Sequence, residues 1–94
     1  MTRIEFKKYI EERLNRELFE ESAAKSIKEM IAESDGKTLS RYQEKEMIKQ
    51  MWNQVIENAY INVKNNVKKK ATEEDWKNKI DELVESINDS FSEF

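Results

Sequence analysis

The chain of 94 residues has no cysteine, no histidine and no proline, and it has a single glycine. Without Cys and His it has no thiol nucleophile and no imidazole base, and it lacks the usual ligands of zinc and transition metals. We therefore expect no disulfide, no metal site and no cofactor. The near absence of Gly and Pro favours long helices joined by short connections.

Long apolar runs are missing as well. No segment approaches the ~20 apolar residues that a membrane-spanning helix needs, and residues 1–5 form no hydrophobic signal core. We expect a cytoplasmic protein, of the encoding cell or of a host cell, with no membrane partner. The length predicts one domain over residues 1–94. The abundance of Lys, Glu, Ile and Asn is typical of AT-rich coding sources, such as low-GC bacteria and their mobile elements.

A long helix is predicted over residues 42–70, and we call it the central helix. Its apolar residues recur at the helical steps of three and four: Met47, Ile48, Met51, Trp52, Val55, Ile56, Ala59, Tyr60, Val63 and Val67. On a helical wheel they cover roughly twice the arc of about 100° that the last helix covers. An arc of that width needs neighbours on two sides. We expect the central helix to be the hub, between the N-terminal and C-terminal helices or beside a second copy of the chain.

The first helix is predicted to begin at a capping box formed by Thr2 and Glu5. Apolar residues follow at steps of four: Phe6, Ile10, Leu14 and Leu18. The stripe then changes direction, and on an unbroken wheel Phe19 falls opposite Ile10. We therefore predict a kink or break near residues 20–23, with Phe19 pointing outward. The expected fold is an all-α, small bundle of three long helices, or of four if that break is complete.

Two further helix starts are visible in the sequence. Ser40 and Gln43 form a capping box for the central helix, and Thr72 precedes three acidic residues that suit the first turn of the last helix. A turn is predicted over residues 34–38, where Gly36 can adopt the left-handed conformation that ends a helix. These signals divide the chain into its helical segments.

Charge is segregated along the chain, although the net charge is only −3. Residues 72–94 carry eight acidic and two basic side chains, whereas residues 34–71 carry eight basic and four acidic ones. The helix dipole explains acidic residues in a first turn, but not five that lie further along: Asp81, Glu82, Glu85, Asp89 and Glu93. They form either a solvated face or an acidic strip that binds a basic surface of another protein, such as one that normally holds nucleic acid.

Amide side chains follow one edge of the central helix, and we call them the amide edge: Gln54, Asn58, Asn62 and Asn65. Asn is a mediocre helix former, so helix propensity does not explain these residues. Ile61 points away from the main apolar stripe. The edge is either solvated or a hydrogen-bonding interface in which Ile61 serves as an apolar anchor.

Catalysis is not expected. Two Glu-x-x-Glu pairs, Glu17 with Glu20 and Glu82 with Glu85, could bind magnesium, but no Gly-rich phosphate loop or Arg cluster accompanies them. Direct nucleic-acid binding is a weaker hypothesis, because the central helix is largely apolar and the isoelectric point is about 5.1. The sequence thus predicts a non-enzymatic protein.

The favoured hypothesis is a small protein-binding module, an inhibitor or adaptor that occupies a basic surface of another protein. A phage- or mobile-element-encoded antagonist of a host protein would have this composition. The main alternative is a structural homo-oligomer, such as a homodimer, that packs through the central helix.

Overall fold

The computed structural model describes residues 1–33 and 40–92, which form four α-helices and no other regular element. These are α1 (Arg3–Glu11), α2 (Arg16–Glu33), α3 (Arg41–Asn66) and α4 (Glu73–Ser92). The all-α prediction is confirmed, with four helices rather than three. α3 contacts each of the other helices, and α2 also contacts α4. The predicted central helix is therefore the hub of the packing.

Three helices begin at the predicted caps. The side chains of Thr2 and Ser40 each accept a hydrogen bond from the backbone three residues later, inside complete capping boxes. Thr72 does the same for α4, because its Oγ1 accepts from the N–H of Asp75 at 3.2 Å. α3 ends at Asn66, before the predicted end, since Val67 has extended backbone angles. The turn predicted around Gly36 lies outside the described residues.

The break in the N-terminal half lies at residues 12–15, so the prediction of a break at residues 20–23 is wrong. α2 continues without interruption through that segment. Asn15 caps α2, since its Oδ1 accepts a hydrogen bond from the N–H of Leu18 at 3.1 Å. The corner is also held from α4: Asn88 Oδ1 accepts from the N–H of Asn15 at 2.9 Å, and Asn88 Nδ2 donates to the carbonyl of Arg13 at 3.3 Å.

Phe19 is buried, at 4% exposure, and its predicted outward position is also wrong. The residues between α1 and α2 change the phase of the helix, so that Phe19, Ala23 and Ile27 are buried at steps of four. The Phe19 ring lies 5.1 Å from that of Trp52 and 5.2 Å from that of Phe91. An unbroken helix would have placed this ring in water.

Two aromatic clusters lie in the core. Phe6, Tyr60 and Trp76 form one, with ring centroids 5.3 to 6.4 Å apart, and Phe19, Trp52 and Phe91 form the other. Buried apolar residues fill the space between them. The molecule is elongated, with extents of 52 × 23 × 20 Å, because the 26 residues of α3 alone span ~39 Å. Within the described ranges, no helix is long and apolar enough to cross a membrane.

Candidate functional site

A shallow cleft runs between α3 and α4, and we call it the α3–α4 cleft. α4 runs back along α3, since Trp76 stacks against Tyr60 near one end of α3 and α4 reaches Val55 near its own last turn. The section of the cleft beside Val55 has a volume of about 310 Å³. Its floor is apolar and consists of Val55, Ala59, Leu83, Ile87 and Phe91. All of these except Ala59 are only half-buried, so the floor remains accessible to solvent.

The α3–α4 cleft continues toward the start of α4. A second volume of about 230 Å³ shares Asn62 and Leu83 with the first, and Asn66, Glu82 and Ser86 also line it. At the far end the lining includes Lys68, Lys79 and Asp75, so both signs of charge occur there. The three sections form one groove along the two helices.

Three of the predicted acidic residues lie on the outer side of α4, and we call them the acidic ridge: Glu82, Glu85 and Asp89. All three are exposed. Glu82 lines the cleft, and its carboxylate lies 3.6 Å from Lys79 Nζ. Over residues 1–33 and 40–92, Glu85 and Asp89 make no ion pair. Glu93 lies outside the described residues. The ridge therefore presents largely uncompensated negative charge on the outer side of α4, and of its three residues only Glu82 lines the cleft.

Asp81 lies apart from the acidic ridge, on the side of α4 that faces α1. Tyr9 Oη donates a hydrogen bond to Asp81 Oδ1 at 3.1 Å, and Arg13 Nε lies 3.4 Å from the same oxygen. Burial raises the pKa of Tyr9, and the hydrogen bond and the charge of Asp81 raise this pKa further, against an opposing effect of Arg13. Asp81 thus joins α4 to α1, a role that the sequence did not indicate.

The amide edge is organised by hydrogen bonds along α3. Gln54 Nε2 donates to Asn58 Oδ1 at 2.8 Å, and Asn66 Nδ2 donates to the carbonyl of Asn62 at 2.7 Å. Asn58 and Asn62 line the α3–α4 cleft opposite α4, whereas Gln54 and Asn65 are exposed and are not part of its lining. The cleft thus brings part of the amide edge and Glu82 of the acidic ridge to one surface.

Ile61 is 46% exposed, as its position off the main stripe predicted. It does not line the α3–α4 cleft. Sequence reasoning did not single out the residues that do form the floor, because spacing alone does not distinguish half-covered from fully covered side chains. The unusually wide apolar arc of α3 was the only available signal.

A larger cleft of about 620 Å³ separates α2 from the first half of α3. Its walls mix both signs of charge, including Arg16, Glu20, Lys45 and Glu46, and only Ala24 and Ile48 are apolar. Arg16 Nε lies 3.1 Å from Glu20 Oε1, so part of this charge is neutralised within α2. This cleft lacks the apolar floor of the α3–α4 cleft.

Among the described residues, no three acidic side chains are grouped in a way that could hold a metal ion. No protein family, curated protein or solved structure matches the chain. The functional interpretation accordingly depends on the chemistry of the chain's own surface.

Proposed function

We propose that the protein is a small, non-catalytic protein-binding module, an inhibitor or adaptor that binds a basic surface of another protein. The observation that carries the proposal is the exposed acidic ridge on the outer side of α4, from which Glu82 reaches the lining of the α3–α4 cleft. Exposed charge and partly exposed apolar area thus occur on the same helix, α4. Together they supply the two components of a specific protein interface.

The apolar floor can supply part of the binding free energy. Complete burial of one large apolar side chain contributes about 1.5–3 kcal/mol relative to full exposure. Val55, Leu83, Ile87 and Phe91 are already half-buried. Covering the smaller part of these side chains that is still exposed would contribute at most about 2–4 kcal/mol before the costs of association.

The acidic ridge can supply specificity and a fast association rate. Complementary charge steers encounter and disfavours partners of the same sign. A basic groove that normally holds nucleic acid is one such partner surface, and a protein that occupied it would act as an antagonist. The abundance of Lys, Glu, Ile and Asn, which is typical of AT-rich coding sources such as low-GC bacteria and their mobile elements, would suit this role.

The experiment is affinity capture from a host lysate, in which partners are identified by mass spectrometry. The test variant carries Glu82→Lys, Glu85→Lys and Asp89→Lys together. The matched control carries Glu21→Lys, Glu29→Lys and Glu33→Lys, which change the net charge equally at exposed positions of α2. We expect the ridge variant to lose a partner that both the wild type and the control retain.

Circular dichroism must show unchanged helicity in both variants, so that loss of the partner is not loss of the fold. Equal capture by the ridge variant and the wild type would rule out the acidic ridge as the binding surface. Equal loss in both variants would indicate a response to net charge alone.

A second candidate function is a structural homodimer through the outer face of α3. Six residues on that face follow the alternating steps of four and three that are typical of a coiled-coil seam: Met47, Met51, Gln54, Asn58, Ile61 and Asn65. In an antiparallel pair, Met51 would face Ile61 of the second copy. Light scattering after size exclusion tests this. A dimer that Ile61→Glu dissociates would support it, and a monomer at micromolar concentration would exclude it.

A further inference from the structure

We infer that the corner between α1 and α2 is a conformational switch, and that contacts from α4 decide its state. In the observed state the helix is broken at residues 12–15. In the second state residues 3–33 form one continuous helix. The switch concerns the shape of the N-terminal half of the chain, independently of the surface that a partner binds.

The covalent structure of the corner does not require a break. It contains neither Gly nor Pro. The N–H of Leu14 donates to the carbonyl of Ile10 at 2.9 Å, which is the bond that an α-helix would have there. The helical pattern resumes where the N–H of Phe19 donates to the carbonyl of Asn15 at 3.0 Å. The departure from helical hydrogen bonding is therefore confined to a few residues.

Two asparagine side chains bond the backbone groups that a continuous helix would pair with one another. In an α-helix each N–H donates to the carbonyl four residues earlier. The N–H of Asn15 donates instead to Asn88 Oδ1 at 2.9 Å, and the carbonyl of Arg13 accepts from Asn88 Nδ2 at 3.3 Å. The N–H of Leu18 donates to Asn15 Oδ1 at 3.1 Å. These three side-chain bonds thus replace backbone bonds that the second state would form.

α4 supplies much of what favours the broken state. Asn88 makes two of the three side-chain bonds at the corner. The ring of Phe91 lies 5.2 Å from that of Phe19, which is buried only because the break changes the phase of the helix. Displacement of α4, for example by a bound partner, would remove these contacts together. The state of the corner therefore depends on the position of α4.

The continuous helix would have an apolar stripe of its own. Phe6, Ile10, Leu14 and Leu18 recur at steps of four across the corner. This state would regain the backbone hydrogen bonds of the corner and would lose the burial of Phe19. One segment thus carries two alternative apolar faces, and the packing of α4 favours one of them. Such a segment has the two discrete arrangements that a conformational switch needs.

The test combines Asn15→Ala and Asn88→Ala in the full chain. The double variant lacks all three side-chain bonds and has a strong helix former at the break. Backbone chemical shifts of the isotopically labelled chain report helical structure residue by residue. We expect residues 13–15 to change to helical shifts, while α2 stays helical. The matched control, Asn65→Ala with Ser90→Ala, replaces two exposed polar side chains of α3 and α4 and should leave the corner unchanged.

Two further variants separate the states. Asn88→Ala alone tests the control by α4, and residues 13–15 should then show shifts between those of the wild type and the double variant. Arg16→Pro forbids the second state, because Pro is favoured at the first position of α2 but breaks the interior of a helix. Added to the double variant, Arg16→Pro should return residues 13–15 to non-helical shifts.

Non-helical shifts at residues 13–15 in the double variant would overturn the switch. Loss of helical shifts throughout α2 would also overturn it, because the two asparagines would then only hold the fold together. Wild-type shifts in Asn88→Ala would overturn the control by α4. Helical shifts that persist after Arg16→Pro would show that the change at the corner is not the formation of a continuous helix.

Discussion

Substitution of Phe19 by Ala tests the arrangement of the N-terminal half of the chain. Its ring is 4% exposed and lies between those of Trp52 and Phe91, at 5.1 and 5.2 Å. Phe-to-Ala changes in a core cost about 3–5 kcal/mol, since apolar burial is lost and a cavity remains. A domain of this length has a free energy of unfolding of roughly 5–14 kcal/mol. The substitution should therefore remove a fifth or more of it, and could unfold a domain at the low end of that range.

The assay is urea unfolding of wild type and variant, followed by far-ultraviolet circular dichroism. Ile61→Ala is the control. Because Ile61 is 46% exposed, this substitution should lower the free energy of unfolding by less than about 1 kcal/mol. If Phe19→Ala costs no more than Ile61→Ala, Phe19 lies in water. The break at residues 12–15 would then be wrong, and an unbroken first helix would be correct.

Other substitutions test individual contacts. Asn15→Ala should lower the free energy of unfolding by about 1 kcal/mol, because α2 loses its cap. The control Asn65→Ala should be neutral or stabilising. Equal effects of the two substitutions in urea unfolding would contradict the role of Asn15 as the cap. Asp81→Asn should lower the pKa of Tyr9 toward its ordinary value in an absorbance titration, and an unchanged pKa would refute the contact. The pKa of Tyr9 is higher in the folded chain than in the unfolded chain, so the free energy of unfolding should fall as pH rises above about 10. This fall should be less steep in Asp81→Asn, because the variant lacks the charge that helps to raise the pKa. Asp81→Asn should also leave partner capture unchanged, since Asp81 faces α1 rather than the cleft. Loss of the partner would show that Asp81 belongs to the binding surface.

Helix starts could be predicted from the sequence because capping is local. Thr2, Ser40 and Thr72 each bond to a residue three positions away, so the pattern is visible in a short window. The break could not be placed in the same way. The unbroken apolar spacing through Leu14 masks the cap at Asn15, and the bonds that hold this corner come from Asn88, far away in the chain.

The candidate site shows the same division between local and tertiary information. The acidic character of α4 is visible in the composition of residues 72–94. The separation of Asp81 from the acidic ridge is not, because it depends on where α1 packs. The cleft floor is likewise a tertiary property, because Leu83 and Val84 are adjacent apolar residues of α4 and yet only Val84 is buried.

Docking of a partner on the α3–α4 cleft is tested most directly by amide hydrogen exchange of the chain, free and bound to the captured partner. Binding at the cleft predicts added protection in residues 55–62 of α3 and 82–91 of α4, with little change in α1 and in residues 24–33 of α2. Protection centred on α1 or α2, with the cleft segments unchanged, would contradict the proposed binding surface.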